Sequence, residues 1–104
     1  MFKIRSRKPV PGTVSNEGIC AAIRGKFQVE CVYVAGEPRL IEPHCHGHSH
    51  QGHEVLSAFQ VGEGWKMFDV SKIVSFEIRT DVFSIRPDFN PAHPGMTQIH
   101  CCAE

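Results

Sequence analysis

The sequence predicts a mainly β protein, a small five-stranded barrel with one N-terminal helix. From Phe27 onwards, short segments in which apolar and polar residues alternate follow one another, and turns rich in Gly and Pro separate them. One segment before them has the helical spacing of apolar residues instead. In a chain of 104 residues, a sheet that closes on itself leaves no exposed edge strands, which favours a barrel over an open sheet.

The first predicted element is a helix over residues 15–24, preceded by a basic arm or edge strand at residues 1–14. Ser15 is a typical N-cap residue, because its hydroxyl can accept a hydrogen bond from a backbone N–H of the first turn. Apolar residues recur at i, i+3 and i+4 from Ile19, which places them on one helix face. Gly25 is a suitable C-terminal stop.

Five strands are predicted after the helix, and with a Pro-rich C-terminal tail they complete a barrel domain at residues 15–104. The second strand is predicted to end at Pro43, because proline has no N–H to donate to a β-ladder. The His-rich stretch that follows is then a loop, and the tail from Thr80 is expected to lie over the barrel. The predicted strands cover residues 26–35, 39–42, 54–61, 65–68 and 73–79.

Composition describes an ordinary globular domain and excludes several classes of protein. Hydrophobic residues make up 41% and charged residues 21% of the chain. Eleven Lys and Arg balance eleven Asp and Glu, so any anion site has to be a local patch rather than a generally basic surface. No apolar run approaches the ~20 residues of a membrane helix, and the N-terminus lacks the apolar core of a secretory signal. We therefore expect no membrane partner and a cytoplasmic location.

The cysteine count also favours a reducing compartment. The number is odd and no CxxC motif is present, whereas a disulfide framework in a secreted protein favours an even count. We therefore expect free thiols. The cysteines are Cys20, Cys31, Cys45, Cys101 and Cys102.

An ordered set of residues along the predicted strands carries a resemblance to a known family. It reads Tyr33-x-x-Gly36-x-x-Arg39-x-Ile41-Glu42-Pro43-His44, then Gly52 and a VLSAFQV strand, then Trp65-Lys66-x-Phe68-x-x-x-x-Ile73. This order resembles the WYL domain, which is an Sm-like, SH3-like β-barrel. The resemblance runs roughly from residue 15 to residue 100. The tail is similar to that of short stand-alone members in Phe83, Arg86-Pro87, Asn90-Pro91 and Met96.

The resemblance implies a regulatory module without enzymatic activity. WYL domains bind nucleotides, oligonucleotides or other negatively charged ligands, often beside a helix-turn-helix domain in transcription regulators. The carried-over ligand patch is Tyr33, Arg39, His44 and Lys66. The family commonly has an arginine where Ser57 stands here, so one positive contact is missing. Because no helix-turn-helix is recognised before the barrel, regulation of DNA would need a transcription-regulator partner or a homodimer.

The chemistry of the four side chains agrees with an anionic ligand such as a nucleotide or a short single-stranded nucleic acid. The Arg39 guanidinium can grip a phosphate through paired N–H donors, and the Lys66 ammonium adds a point charge. The ring of Tyr33 can stack on a base. In the alternative interpretation, Arg39 forms a surface ion pair with Glu37 or Glu42, which contributes little to stability.

The histidine-rich stretch allows two interpretations. His44, His46, His48 and His50 recur every two residues and would lie on one side of an extended chain, where neutral imidazoles can bind Zn, Ni or Cu. A site completed by His100, Cys101 and Cys102 is conceivable. The Cys and His spacings nevertheless match no standard zinc motif. We therefore expect no metal, no cofactor and no catalytic residue, and a folding reaction that needs no metal.

The alternative function is a cupin-like, metal-binding small-barrel enzyme that uses the loop from His44 to His53. The pattern His48-x-His50-x-x-x-Glu54 is similar to the first metal motif of cupins, whose second motif is not found in the chain.

Overall fold

The computed structural model describes residues 15–34 and 36–104, and the predicted arm at residues 1–14 lies outside them. The protein is mainly β, with one helix and a six-stranded antiparallel sheet. A single 3-10 turn at Val70–Lys72 connects the fourth and fifth strands. The elements are α1 (Asn16–Gly25), β1 (Phe27–Tyr33), β2 (Arg39–Ser49), β3 (Glu54–Gln60), β4 (Gly64–Asp69), β5 (Ile73–Val82) and β6 (Met96–Cys102).

The sheet is not the closed five-stranded barrel that the sequence predicts. Its order is β4-β3-β2-β1-β5, and the two outer strands, β4 and β5, do not pair with each other. A sixth strand, β6, pairs with the second half of β2. The tail thus contributes a strand to the sheet, where the sequence predicts only a covering segment.

Strand β2 is the element on which the others are assembled. Its first residues pair with β1, its last residues pair with β6, and β3 runs along its other edge. The prediction that the strand ends at Pro43 and that a loop follows is therefore wrong, since β2 continues to Ser49. Pro43 is tolerated because it lies between the β1-paired and β6-paired stretches, beside a register shift against β3.

Helix α1 forms as its local signals predict. Ser15 is the N-cap, and its hydroxyl accepts a hydrogen bond from the backbone N–H of Gly18 at 3.0 Å. The helix buries one face, centred on Ile19, against β1, β2 and β6. It ends at Gly25, and Lys26 adopts the left-handed conformation (φ 57°) that caps the last turn. The helix is too short to cross a membrane, and no other α-helix is found in the described residues.

A glycine allows β6 to approach β2. A Cβ atom at Gly47 would overlap the carbonyl oxygen of Gln98 and would lie 2.9 Å from the sulfur of Met96. Gly47 is buried and pairs in register with Ile99. The close approach brings the end of the chain next to helix α1.

Candidate functional site

Two of the cysteines that we expected from the sequence to be free thiols are joined in a disulfide. Cys20 of α1 and Cys101 of β6 have Cα atoms 5.9 Å apart, which is within the usual range for a disulfide. The prediction of free thiols is wrong for this pair because it could not anticipate that α1 packs beside β6. Cys31, Cys45 and Cys102 are free.

A fully buried histidine lies against this disulfide. His46 Nδ1 is 3.9 Å from the sulfur of Cys20 and 3.9 Å from the sulfur of Cys101. On the other side of the ring, Nε2 is 2.6 Å from a carboxylate oxygen of Glu54. An ionised carboxylate only accepts hydrogen bonds, so Nε2 carries the proton. In the neutral ring, the Nδ1 lone pair then faces the two sulfur atoms.

The environment of His46 favours the neutral imidazole. Burial lowers the pKa of His46 below its ordinary value, although the neighbouring Glu54 carboxylate acts in the opposite direction. The imidazoles of His48 and His100 also lower the pKa, because a second positive charge close by is unfavourable.

The other histidines of the predicted loop have separate partners. His48 Nδ1 is hydrogen-bonded to His100 Nε2 at 2.9 Å. His50 Nε2 donates to the carbonyl oxygen of Pro94 at 3.1 Å. Glu54, the carboxylate of the cupin-like pattern, is hydrogen-bonded to His46, and His46 is not part of that pattern. In the described part of the chain, one group of three side chains has metal-ligating atoms that all lie within 4.8 Å of one another, and it consists of Cys20, His46 and Cys101.

His44, one of the four predicted ligand residues, is fully buried and both of its ring nitrogens are occupied. Nδ1 donates to the carbonyl oxygen of Glu42 at 2.8 Å, and Nε2 accepts from the backbone N–H of Arg86 at 3.1 Å. Burial is the largest influence on His44 and lowers its pKa. His44 therefore anchors the polypeptide and offers no free nitrogen to a ligand.

The side chains of Tyr33, at the end of β1, and Arg39, at the start of β2, lie together. The Arg39 guanidinium carbon is 5.6 Å from the ring centre of Tyr33 and 5.5 Å from that of Phe68. Arg39 donates to the side-chain oxygen of Gln60 at 3.3 Å, and the Tyr33 hydroxyl accepts from the backbone N–H of Asp69 at 2.8 Å. This arrangement replaces the surface ion pair that the alternative interpretation expects.

Lys66 is one of the residues that line a groove of 350 Å³, which we call the aromatic groove. Trp65 and Phe89 stack with ring centres 6.0 Å apart and line it. Lys66 is 3.5 Å from Glu63 in a largely exposed pair. The residues that line the aromatic groove are Ser57, Trp65, Lys66, Met67, Asp88, Phe89, Asn90, His93 and Pro94.

Several hydrogen bonds hold the walls of the aromatic groove in place. The indole N–H of Trp65 donates to Asp88 at 3.0 Å, and His93 Nε2 lies 3.1 Å from the hydroxyl of Ser57. His44 packs behind the groove, with its ring centre 4.9 Å from Trp65 and 5.0 Å from Phe89. One wall comes from β3 and β4 and the other from the tail.

The tail is fastened to the sheet by a buried carboxylate. Glu42 accepts a hydrogen bond from Arg86 Nε at 2.8 Å and another from the side-chain amide of Gln28 at 3.1 Å. The Arg86 guanidinium also lies 3.8 Å from the ring centre of Phe59. Arg86 thus holds the segment that continues into the second wall of the groove.

The sequence does not predict that the tail forms one wall of the aromatic groove. It also does not predict that Cys20, His46 and Cys101 lie together. The tail has no strand-like alternation before β6, and the groove-lining residues Phe89 and His93 stand among prolines. Comparison of the chain with protein-family models, curated proteins and solved structures finds no match.

Proposed function

We propose that this protein is a non-enzymatic, WYL-like ligand-binding module with a modified Sm-like sheet. Its ligand is negatively charged, such as a nucleotide or a short single-stranded nucleic acid, and it binds in the aromatic groove. The observation that carries the proposal is a groove lined by the aromatic rings of Trp65 and Phe89, with Lys66 also among its lining residues. Aromatic faces stack on bases, and a nearby cation attracts phosphate.

The size of the groove supports a ligand with one ring system. Small-molecule sites occupy about 300 Å³ or more, and the aromatic groove has 350 Å³. A single base fits this volume better than several stacked bases. The side-chain amide of Asn90 adds hydrogen-bonding groups along the wall, whereas His93 is already bonded to Ser57 and to the backbone N–H of Gly95.

Among the described residues, the groove lining contains one cation, Lys66, and one carboxylate, Asp88. Asp88 accepts the indole N–H of Trp65, so part of its hydrogen-bonding capacity is used internally. The carboxylate of Glu63, which pairs with Lys66, belongs to a side chain that is 59% exposed. Exposed pairs of this kind are weak, so a phosphate can replace Glu63 at little cost in free energy.

A second groove, which includes Arg39, is a weaker candidate for the same ligand. Arg79 lies in it with Glu30 3.2 Å away, and Asp81 adds a further negative charge. Both grooves carry mixed charges, but the described residues that line the Arg39 groove include no aromatic ring on which a base could stack. In our proposal, Lys66 therefore contacts the ligand directly, and Arg39 acts at most through long-range attraction.

The chain's one tryptophan provides a direct test. Trp65 lines the aromatic groove, so a stacked base is expected to quench its fluorescence. Titration at low salt with mononucleotides and with short oligonucleotides should give saturable quenching. Ribose phosphate without a base controls for an effect of the anion alone. Absence of quenching and of any heat of binding across this panel would contradict the proposal.

A further inference from the structure

The cluster of Cys20, Cys101 and His46 has the geometry of a metal site that the disulfide closes. A tetrahedral zinc ion with Zn–S of ~2.3 Å and Zn–N of ~2.0 Å places a ligand sulfur and nitrogen roughly 3.6 Å apart. The two observed separations of 3.9 Å are close to this value. The two sulfurs would need to be about 3.8 Å apart around the same ion, so the disulfide bond is incompatible with binding through both sulfurs.

Glu54 completes the arrangement in the way that is usual for metal-binding histidines. Such histidines donate their second N–H to a carboxylate, which fixes the ring orientation and increases the basicity of the ligating nitrogen. In this protein Glu54 is 2.6 Å from His46 Nε2, on the side opposite the sulfurs. The free lone pair on Nδ1 is therefore aimed at the position where an ion would lie.

The donor set selects the class of ion. Two thiolates and one imidazole are borderline-soft ligands that suit Zn²⁺ and Co²⁺, whereas Mg²⁺ and Ca²⁺ require oxygen ligands. The remaining coordination position can be filled by water, as in zinc sites with three protein ligands.

From this geometry we propose that the protein contains a redox-controlled zinc site formed by Cys20, Cys101 and His46. The disulfide form does not bind the ion, and the dithiol form binds one Zn²⁺ through both thiolates and Nδ1. Glu54 acts as a positioning residue. Zinc and the disulfide are thus alternative cross-links between α1 and β6, which agrees with the expectation that metal is not needed for folding.

Reduction converts the disulfide form into the dithiol form that binds zinc. A dithiol reductant supplies two electrons and two protons, the Cys20–Cys101 bond breaks to give two thiols, and the reductant becomes a disulfide. Binding of Zn²⁺ then displaces the two thiol protons to solvent. Oxidation of the pair by a disulfide runs in the reverse direction and releases the ion. Because the metal lies away from the aromatic groove, this inference does not depend on the proposed function.

Cobalt spectroscopy on the intact protein tests the proposal. Oxidised protein, and protein reduced and freed of reductant without oxygen, are each titrated with Co²⁺. The reduced form should bind one equivalent and show the thiolate-to-cobalt charge-transfer band and the visible bands of tetrahedral cobalt. The oxidised form should show neither. Equal spectra for the two forms, or binding without a thiolate band, would overturn the proposal.

Variants separate this cluster from other thiols and histidines of the protein. Cys20→Ser should abolish the charge-transfer band of two thiolates, while Cys102→Ser and His48→Ala should leave it intact. Glu54→Gln should weaken Zn²⁺ affinity by about 10-fold or more, the usual effect of removing such a carboxylate. Loss of the band in His48→Ala with retention in Cys20→Ser would identify an adventitious surface site and refute the assignment.

A measurement on the wild-type chain guards against variants that fail to fold. Reduced protein is alkylated with and without one equivalent of Zn²⁺, and the modified cysteines are identified by mass spectrometry. Zinc should protect Cys20 and Cys101 and should leave the modification of Cys102 unchanged. Uniform modification of all three in the presence of zinc would overturn the proposal.

Discussion

Arg86 and Glu42 join the C-terminal tail to the central strand through a hydrogen bond of 2.8 Å between guanidinium Nε and carboxylate Oε1. The Glu42 side chain is 5% exposed and that of Arg86 is 36% exposed, so the carboxylate depends on this partner far more than the guanidinium does. Gln28 supplies the second hydrogen bond to the carboxylate.

Removal of Arg86 is therefore expected to destabilise the protein. Among the described residues, Arg86→Ala leaves Gln28 as the remaining side-chain donor to the buried Glu42 carboxylate, and loss of one partner of a buried ion pair costs several kcal/mol. Because Arg86 is partly exposed, we expect about 2–3 kcal/mol in urea unfolding. Arg79→Ala, which breaks the exposed pair with Glu30, is the matched control and should change stability by less than about 1 kcal/mol. Equal costs for the two variants would contradict this account.

His44 is expected to make stability depend on pH. Burial lowers the pKa of His44 in the folded protein below its ordinary value of 6.5, so the unfolded chain binds a proton first as pH falls. The stabilising contribution is complete above about pH 6.5 and is lost as pH decreases toward the folded-state pKa. Urea midpoints at pH 8 and pH 5.5 measure the effect.

Two variants identify the residue responsible for this pH dependence. His44→Gln keeps a donor and an acceptor for Glu42 and Arg86 but does not titrate, so its unfolding free energy should change less between the two pH values. The exposed His50→Gln should behave like the wild type. If the unfolding free energy changes by the same amount between the two pH values in all three proteins, groups other than His44 cause the pH dependence.

The cysteines should differ in their reactivity toward iodoacetamide. Burial raises the pKa of Cys31 to about 11 and also raises the pKa of Cys45, so both remain thiols at neutral pH, and the thiolate is the reactive form. Cys102 is half-buried and should be modified first in the native protein.

Denaturant extends the labelling experiment to the disulfide. In denaturant without reductant, Cys31, Cys45 and Cys102 should all be modified, and Cys20 and Cys101 should react only after reduction. Modification of five cysteines in unreduced, unfolded protein would show that the disulfide is absent.

Local signals predicted the helix and most strand positions, but long-range pairing decided the remainder. The Ser15 N-cap and the apolar residues that recur from Ile19 are separated by one or two helix turns at most. The sequence alone therefore reveals them. The continuation of β2 past Pro43 depends on β6, whose residues begin about 50 positions later in the chain. The spacing of apolar residues within a short stretch of sequence does not reveal a partner strand that is so distant in the chain.

The same distinction applies to the candidate sites. Lys66, a predicted ligand residue, lines the aromatic groove. Arg39 lines a second groove, donates to Gln60 and lies 5.5 Å from the ring centre of Phe68. The ligand-binding role of both residues stays a prediction. The sulfur cluster joins Cys20 and Cys101 across 81 positions, and only the packing of α1 against β6 brings them together.

Ligand binding is therefore expected to depend more on Lys66 than on Arg39. Loss of a charge-assisted hydrogen bond to phosphate costs about 1.5–3 kcal/mol, so Lys66→Ala should weaken nucleotide binding by roughly tenfold or more. Arg39→Ala should have a smaller effect, because its guanidinium is held by Gln60 and packs on Tyr33. Lys72→Ala, an exposed lysine outside the groove, is the control.

Salt dependence distinguishes a direct phosphate contact from general attraction. For a single-stranded oligonucleotide, log K should fall linearly with log salt concentration, with a slope of about −0.7 for each phosphate contacted. Lys66→Ala should make the slope shallower by about that amount, while Arg39→Ala and Lys72→Ala should leave it nearly unchanged. Anisotropy titrations at several salt concentrations measure all three slopes. If Arg39→Ala alone flattens the dependence, the ligand binds at the Arg39 groove, and our assignment of the aromatic groove is incorrect.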